Sequence, residues 1–551
     1  SSGNFSFTGA ATGSYTLTAS KTGYTFSPTI RNVTVSNANI TGQNFTATAA
    51  TSSTGYDAND ILSNNTFADT IDIDFSANTA KLSADGTALS ITTGGVTPLT
   101  GVTVQKTTYG ITITSTVSEK IKYTLTGTLS GTLTVSSSNA YQLYLNGVTI
   151  NGSAGPALDL ESTAKAFIVA ATGTTNRLTD SSTRSMTMKA ALYGTGPMIF
   201  SGSGTLNVTG SYKHGIFSED YIRVLGTTLN VGVSTKDAVR SVNGFIFDDG
   251  TLTITATGKT TDDESKGIIV EGVEGTGAGK GFIVINGGNI TVTSVGKAIT
   301  AGWDVDEDAT TSTTSDDPNP YMIINNGVIT LTTTGTPYEY ASGGTTVSCS
   351  PEGLEAKTNL TINGGNITIN TSDDAINTAK ALIINGGYIY AKSTKNDAID
   401  TNGTLTINGG VIVAIGAGAP EGAFDSDVNT FAVTGGTFVG IGGNVSRPTA
   451  GYVTQNLVIL GSLTSGSTMA LKANDGTVAF AFKIPQSYAT MIVSSPEIDT
   501  GTKYYVYSGG TATGSNVFNG LYLGSLTYSG GSTSSSFTVS STITKIGGVY
   551  F

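Results

Sequence analysis

The sequence predicts an all-β protein whose main body is a right-handed parallel β-helix of about ten coils, and three observations support this prediction. The 551 residues include 72 glycines but only 12% charged residues, against about 25% charged in an average soluble domain. A turn signature recurs 22 residues apart from Asn363 to Asn385 and 23 residues apart from Asn385 to Asn408. Each signature is followed by alternating apolar and polar residues, which is the period of a strand with one buried face.

The repeated signature is Ile-Asn-Gly-Gly or a close variant, and its glycines supply the positive φ angles that tight turns need. Its asparagines are Asn286, Asn325, Asn363, Asn385 and Asn408. About half a repeat away lies a second element, a small residue followed by an apolar one, in ten copies that include Ala375-Ile376 and Ala398-Ile399. A repeat of this length, with no helical period, indicates coils that bury their apolar faces only by stacking on one another.

We predict four segments along the chain. Residues 1–50 resemble the later strands of a carboxypeptidase-regulatory-like or Cna-B-like sandwich, so we predict a partial Ig-like or prealbumin-like β-sandwich whose first strands are missing. Residues 51–138 are expected to form an N-terminal β cap, 139–455 the parallel β-helix and 456–551 a C-terminal β domain that closes the other end. Both ends need closing because an open coil presents an unpaired strand edge.

Composition excludes several classes of site and partner. The single cysteine, Cys349, permits no internal disulfide and no thiolate zinc site. We interpret it as an unpaired loop thiol, and the single histidine, His214, as an exposed residue of a coil. The net charge of −12 argues against nucleic-acid binding. No apolar run reaches the ~20 residues of a membrane span.

Acidic and amide residues flank the small–apolar pairs of the late coils. They are Glu352, Glu355, Asp373, Asp374, Asn377, Asp397, Asp400, Asp425 and Asp427. Coils stack at ~4.8 Å, so these side chains are expected to lie above one another and to repel unless a hard cation such as Ca2+ relieves them. The sequence therefore predicts a column of calcium ligands. The alternative is that Asp and Asn simply suit the turns, with solvent screening the repulsion.

Three further sets of residues are candidates. The early coils carry cations at the same place, namely Lys213, Lys236, Arg240, Lys266 and Lys297, so we expect one face to run from basic to acidic and to pair its lysines with uronate carboxylates. The longest loop contains alternate acids, Asp304, Asp306 and Asp308, that suggest a calcium-ordered loop without the EF-hand pattern. Trp303, Tyr338 and Tyr340 are candidate platforms for sugar rings. For each set the alternative is solvated or packed residues without a ligand.

Residues from about 100 to 530 resemble a family of secreted bacterial carbohydrate-binding proteins with a pectate-lyase-like β-helix. No single motif is specific to this family, but the order of the motifs along the chain is. The resemblance rests mainly on residues 212–220, 304–310, 372–376 and 395–400. It implies an extracellular or cell-surface, calcium-containing, non-catalytic protein that adheres to plant polysaccharides such as pectic acid or cellulose.

Two alternative functions are also compatible with the sequence. A calcium-dependent pectate-lyase-like enzyme would need a Lys or Arg base against the metal site, but the basic and acidic residues are expected in different coils. An incomplete N-terminal sandwich would expose strand edges, so the chain could instead be a subunit of an extracellular filament or surface layer that assembles by strand exchange.

Overall fold

A computed structural model describes residues 7–18, 24–27, 30–36, 39–49, 57–260, 263–272, 281–303, 320–342, 345–427, 429–462 and 465–547. Within these ranges the protein is all-β, and its helical elements are two single 3₁₀ turns, Ala58–Asp60 and Leu62–Asn64. None of these residues belongs to a helix with the length and apolarity that crossing a membrane requires.

Three long sheets make up most of the molecule, and in each of them neighbouring strands pair in the following order. The first sheet contains Val96–Leu99, Val102–Lys106, Gly110–Ser115, Thr132–Ser137, Leu158–Leu160, Ala190–Gly194, His214–Ser218, Val239–Ser241, Ile268–Gly272, Ile299–Trp303, Leu354–Ala356, Ile376–Thr378 and Ile399–Thr401. The second sheet contains Leu89–Ser90, Thr79–Leu82, Asp69–Asp74, Ile121–Thr126, Tyr141–Leu145, Ala166–Ala170, Met198–Gly202, Tyr221–Val224, Gly244–Phe247, Phe282–Ile285, Tyr321–Ile324, Asn359–Ile362, Ala381–Ile384, Thr404–Ile407 and Phe431–Val433. The third sheet contains Thr128–Ser130, Thr149–Asn151, Thr175–Thr179, Thr205–Gly210, Thr228–Val233, Thr251–Ala256, Asn289–Ser294, Val328–Thr333, Asn366–Thr371, Tyr388–Ser393, Val411–Ile415, Thr437–Gly442, Thr490–Ser494, Leu457–Leu460 and Ile543–Ile546.

The chain visits the three sheets in turn, and this connectivity makes a parallel β-helix. One coil runs through Ile376–Thr378, Ala381–Ile384 and Tyr388–Ser393 before it returns to the first sheet at Ile399. Successive coils pair in parallel without a register slip, for example Ile376 with Ile399. The predicted fold class is therefore confirmed.

The stack of coils is longer than the sequence repeats indicate. In the described part of the third sheet, twelve strands from Thr128–Ser130 to Thr437–Gly442 follow one another in parallel, more than the predicted ten or so. Parallel pairing already joins Asp69–Asp74 to Ile121–Thr126, so the predicted boundary at residue 139 falls inside the stack. The early coils have degenerate turn sequences, and for that reason the repeat does not reveal them.

Antiparallel strands cover both ends of the stack. At the N-terminal end, Thr79–Leu82 pairs antiparallel with Asp69–Asp74, and Val102–Lys106 pairs antiparallel with Gly110–Ser115. At the C-terminal end, Thr490–Ser494 pairs antiparallel with the last coil strand, Thr437–Gly442. These strands satisfy backbone groups that an open coil would leave unpaired.

The interior is filled by apolar side chains that repeat at the same place in every coil. Ile329, Ile367, Ile389 and Ile412 form one such row and are fully buried. Burial of each such side chain contributes about 1.5–3 kcal/mol relative to exposure. The alanine of each small–apolar pair, such as Ala375 or Ala398, is also fully buried.

The asparagines of the turn signature form a ladder between the second and third sheets. The Nδ2 of Asn325, Asn363, Asn385 and Asn408 each donates to the Oδ1 of the asparagine one coil earlier, at 2.8–2.9 Å. Asn286 donates to Asp248 at one end, and Thr434 donates to Asn408 at the other. The glycine that follows, such as Gly387 (φ 95°), packs against the backbone of the preceding coil, where a Cβ would lie 2.9 Å from a carbonyl oxygen.

Two peripheral segments pack on the outer faces of the coils. Asp60, in the first 3₁₀ turn, accepts a hydrogen bond from the Nη1 of Arg223 at 2.9 Å, and the Nε of Arg223 donates to Asp248 at 2.7 Å; all three are fully or almost fully buried. The C-terminal domain has a six-stranded sheet of Asn516–Phe518, Leu521–Leu523, Val478–Lys483, Thr468–Ala473, Lys503–Ser508 and Ser532–Thr538, with a hairpin of Thr511–Thr513 and Thr527–Ser529. Its apolar face packs on the late strands of the third sheet, where Tyr388 meets Phe518.

Four smaller antiparallel pairs complete the described strands. Near the N-terminus, Gly13–Thr18 pairs with Ile30–Val35, and Tyr24–Ser27 pairs with Thr46–Ala49. Within the coils, Lys259–Thr260 pairs with Asp263–Glu264, and Tyr338–Ser342 pairs with Thr345–Cys349. The partial-sandwich interpretation of residues 1–50 remains a prediction.

Candidate functional site

Four carboxylates meet where the third sheet leads into the first sheet in the last coils. Asp374 and Asp397 lie immediately before Ala375-Ile376 and Ala398-Ile399, and Asp400 lies in the outward position of the strand Ile399–Thr401. Asp425 lies one coil further on, next to Phe424, which bridges to Ile399. We call Asp374, Asp397, Asp400 and Asp425 the acidic cluster.

The acidic cluster is compact. One carboxylate oxygen from each of Asp397, Asp400 and Asp425 lies within 4.8 Å of the others. The backbone N–H of Asp397 donates to Asp374 Oδ1 at 3.0 Å, and Ser446 Oγ donates to Asp425 Oδ1 at 2.6 Å. Across the described ranges, none of the four forms an ion pair with a Lys or Arg.

Burial and mutual repulsion make Asp374, Asp397 and Asp400 hard to ionise without a cation. Burial, with the charges of neighbouring carboxylates, raises the pKa of Asp374 to about 10. The same two causes raise the pKa of Asp397 to about 8 and that of Asp400 to about 7. The donors are all oxygen atoms, which is the ligand type that Ca2+ prefers. The residues present therefore fit a calcium ion.

Glu352 and Glu355, two further predicted calcium ligands, lie instead in an ion-pair network. Lys297 pairs with Glu352 and, at 3.1 Å, with Glu355, which also pairs with Lys357. Burial works against the charged form of Lys297, but the two carboxylates outweigh it and raise its pKa. Burial also works against the charged form of Glu355, but Lys297 and Lys357 outweigh it and lower the pKa of this carboxyl.

This network shows that the last basic coil contacts the first acidic coil, so the basic and acidic residues lie in different coils, as expected, but are not separated. Lys297 and Glu352 belong to successive coils, because Ala298 donates a backbone hydrogen bond to the carbonyl of Glu352. They are far apart in sequence because the intervening coil carries long insertions. A lysine side chain easily reaches a neighbour one strand spacing away, ~4.8 Å.

The other predicted ligands of the late coils lie at the margins of the acidic cluster. Asn377 donates to Glu352 Oε1 at 2.9 Å and, at 3.4 Å, to Asp374 Oδ2, so it links the ion-pair network to the acidic cluster. Asp373 accepts a hydrogen bond from Asn396 at 2.7 Å. Asp427 is exposed, and its backbone N–H donates to Asp425 at 2.8 Å.

Two other cations of the early coils, Arg240 and Lys266, also lie beside acids. Arg240 pairs with Glu271 and lies 3.5 Å from Asp237. Burial opposes the charged form of Lys266, but Asp237 and Glu271 raise its pKa overall. Lys213 and Lys236 are partly exposed in the neighbouring turns.

His214 is buried, so the interpretation of this residue as exposed is wrong. It begins the strand His214–Ser218, and its Nδ1 lies 3.3 Å from Asp237 Oδ2. Its ring also contacts Phe217, with the ring centroids 5.6 Å apart. Burial lowers the pKa of His214, although Asp237 opposes this effect. Cys349 is likewise buried at the end of a strand and not in a loop.

The remaining candidates fall partly outside the described residues. Asp304, Asp306 and Asp308 lie outside them, as do the side chains of Trp303 and Tyr340. Tyr338 is partly buried, and its hydroxyl donates to Glu264 Oε2 at 3.2 Å. This hydrogen bond connects Tyr338 to the short strand Asp263–Glu264.

A cleft of 640 Å³ adjoins the acidic cluster, and part of its lining was not predicted. Asp397 and Asp425 line it, and so do Asn444, Ser446 and Arg447. The latter three follow the last coil strand, Thr437–Gly442, where neither the repeat nor a strand pattern continues. The Gly-Asn-Val-Ser-Arg-Pro sequence at 443–448 was the available signal, since it marks a polar turn beside the last acidic coil.

Comparison with known proteins places this chain in a family. The sequence profile of the carbohydrate-binding domain-containing proteins matches residues 109–398, which is more than half of the chain. The chain belongs to this family. The matched region ends within the acidic cluster, since it includes Asp374 and Asp397 but stops before Asp400 and Asp425.

Other comparisons add little for this carbohydrate-binding domain protein. A solved structure, the polysaccharide lyase-like protein from C. thermocellum as a gadolinium derivative, is 18% identical and covers 56% of this chain and 96% of its own. Its TM-score of 0.34 is too low to carry an argument. No curated protein matches the chain.

Proposed function

We propose that the protein is an extracellular or cell-surface binder of acidic polysaccharide, without catalytic activity, that holds Ca2+ at the acidic cluster. The observation that carries the proposal is the meeting of Asp397, Asp400 and Asp425 within 4.8 Å. A bound Ca2+ would neutralise these carboxylates and offer its remaining coordination positions to a uronate carboxylate.

The chain's own residues have distinct parts in this proposal. Asp397, Asp400 and Asp425 supply ligand oxygens, and Ser446 orients Asp425 by its 2.6 Å hydrogen bond. The cleft beside them accommodates part of a sugar chain, with the amides of Asn429 and Asn444 available for its hydroxyls. The ion pairs of Lys297 with Glu352 and Glu355 occupy those two carboxylates, so the oxygens left available to a bound cation are those of the acidic cluster.

The family supports a polysaccharide partner, and the acidic cluster supports a cation-assisted mode of binding. Pectic acid is the ligand that we propose, because a uronate carboxylate can complete the coordination of Ca2+ whereas a neutral glucan offers only hydroxyls. The filament and lyase alternatives stay predictions, because no observation favours them over carbohydrate binding.

The test is equilibrium binding of the full chain to polygalacturonate, with Ca2+ and then with excess chelator. We expect Asp400→Asn combined with Asp425→Asn to weaken calcium-dependent binding at least about tenfold, equivalent to ~1.4 kcal/mol. Asp85→Asn, which changes an exposed carboxylate in the N-terminal cap, is the matched control and should bind like the wild type.

Calcium-dependent binding that is equal in the double variant and the wild type would refute the assignment of the site. Release of unsaturated uronide from the polymer, which is detected by its ultraviolet absorbance, would refute the non-catalytic part of the proposal.

A further inference from the structure

The cleft beside the acidic cluster is lined by one arginine, Arg447, which the proposed function does not use. Arg447 is exposed and lies in the turn that follows the last coil strand, Thr437–Gly442. It shares the cleft with three aspartates, Asp397, Asp425 and Asp427. Among the described residues that line the cleft, it is the only one with a basic side chain. The cleft therefore offers a ligand one cation of the chain itself, in addition to a bound metal ion.

The backbone on both sides of Arg447 is anchored to the last coils. On one side, Ser446 Oγ donates to Asp425 Oδ1 at 2.6 Å. On the other side, the backbone N–H of Thr449 donates to the carbonyl of Phe431 at 2.8 Å, and Thr449 Oγ1 accepts from the N–H of Phe431 at 3.0 Å. Consecutive Cα atoms are ~3.8 Å apart, so Arg447 starts next to a residue that contacts a proposed calcium ligand. The backbone that carries the guanidinium is therefore held beside the acidic cluster before a ligand binds.

The charges at the cleft make a second cation necessary for a polyanionic ligand. With a metal ion bound, Asp397, Asp400 and Asp425 carry three negative charges against the two positive charges of Ca2+. The exposed Asp427, which also lines the cleft, adds a fourth negative charge. The surplus repels any further carboxylate that follows a calcium-bound uronate along the same chain. Arg447 is the cation of the cleft that can compensate this repulsion.

The chemistry of the side chain and the size of the cleft both suit a second acidic sugar. A guanidinium is planar and presents paired N–H groups that match the two oxygens of a carboxylate. The cleft volume of 640 Å³ lies within the range of small-molecule pockets, about 300–1,000 Å³. It therefore has room for more than the one carboxylate that the metal holds. The lining also includes the exposed Pro420 and the amide of Asn444, which offer an apolar and a polar contact to a sugar ring.

We propose that Arg447 binds the carboxylate of a second uronate, so that the cleft recognises two acidic sugars of one chain. One carboxylate is held at the acidic cluster with Ca2+, and the other is held by the guanidinium of Arg447. This inference rests on the proposed function, because it takes the first carboxylate to be bound at the calcium-loaded acidic cluster. It makes Arg447 a specificity-determining residue that favours stretches of free uronate over chains whose acids are separated by methyl esters.

The test is calorimetric titration of the calcium-loaded full chain with trigalacturonate and with methyl galacturonoside, which carries a single carboxylate. We expect Arg447→Gln to lose at least about tenfold in affinity for the trisaccharide, ~1.4 kcal/mol. The variant should bind the monosaccharide like the wild type, because the metal takes its one carboxylate. Arg447→Lys keeps the charge but lacks the planar pair of N–H groups, so it should recover only part of the loss. The matched control is Arg177→Gln, an exposed arginine of the strand Thr175–Thr179, which should bind both sugars like the wild type.

The outcomes separate this inference from the proposed function. Equal trisaccharide affinity in Arg447→Gln and the wild type would overturn the inference, whereas a loss in Asp400→Asn/Asp425→Asn in the same assay would leave the proposed function standing. An equal loss for the monosaccharide and the trisaccharide would also overturn it, as would weaker Ca2+ binding by glycan-free Arg447→Gln, because either result would mean that Arg447 supports the acidic cluster instead of a second uronate. Absence of wild-type binding to trigalacturonate in Ca2+ would refute the proposed function, and this inference with it.

Discussion

Asp159 is a carboxyl group whose burial disfavours its charged form. It is the outward residue of the short strand Leu158–Leu160, yet it is fully buried, and both of its carboxylate oxygens lack a hydrogen-bond partner. Burial, with a smaller effect of Glu161, raises the pKa of Asp159 to about 7. Its place between Leu158 and Leu160 indicates an outward position, but the sequence does not reveal its burial, because burial depends on segments that are distant in sequence.

We predict that Asp159→Asn stabilises the protein at pH 8. The folded-state pKa lies above the unfolded value of 3.8, so the folded state binds more protons between pH ~4 and ~7 and the free energy of unfolding falls as the pH rises through that range. The variant should lack this fall and gain about 1–3 kcal/mol at pH 8. Chemical denaturation across pH measures both effects, and Asp85→Asn serves as an exposed control. Parallel pH profiles for Asp159→Asn and the wild type would contradict the prediction.

At the scale of the element, the turn between the second and third sheets shows how much the repeat predicts. The Ile-Asn-Gly-Gly signature indicated a tight turn followed by a strand, and the structure confirms both, as in Ala381–Ile384 followed by Tyr388–Ser393. The side-chain ladder needs an additional condition, namely that successive coils stack without a register slip. By contrast, the pairing of Lys297 with Glu352 could not be predicted from the repeat, because 55 residues separate the two.

We predict that Asn363→Ala lowers the free energy of unfolding by about 1–3 kcal/mol. The substitution removes the bond that Asn363 donates to Asn325 and the bond that it accepts from Asn385, both 2.8 Å long. Asn366→Ala, in the same coil but exposed, is the control and should stay within about 0.5 kcal/mol of the wild type. Equilibrium denaturation gives both values, and an equal effect of the two substitutions would show that the ladder does not stabilise the fold.

At the scale of the whole molecule, the β-helix carries few charges. Ion pairs lie in its early and middle coils, and carboxylates without a basic partner lie together in its last coils, within the described ranges. In the early and middle coils, buried acids pair with bases, as Asp60 and Asp248 do with Arg223, and Asp159 is an exception. The acidic cluster at the last coils has no such partner within the described ranges. Composition and repeats were enough to predict the fold and the position of the acidic column. They could not show that Glu352 and Glu355 form ion pairs whereas Asp400 and Asp425 do not. That difference depends on which lysines the stacking of the coils brings close to each carboxylate.

The central proposal is that the acidic cluster, which has no Lys or Arg ion pair within the described ranges, holds Ca2+. Calorimetric titration of the calcium-free full chain with CaCl₂, for the wild type and for Asp400→Asn/Asp425→Asn, tests it most directly. We predict saturable binding by the wild type and a loss of at least one equivalent of bound calcium in the variant, since two of the three closest carboxylates are removed. Identical stoichiometry and affinity in the two proteins would contradict the account.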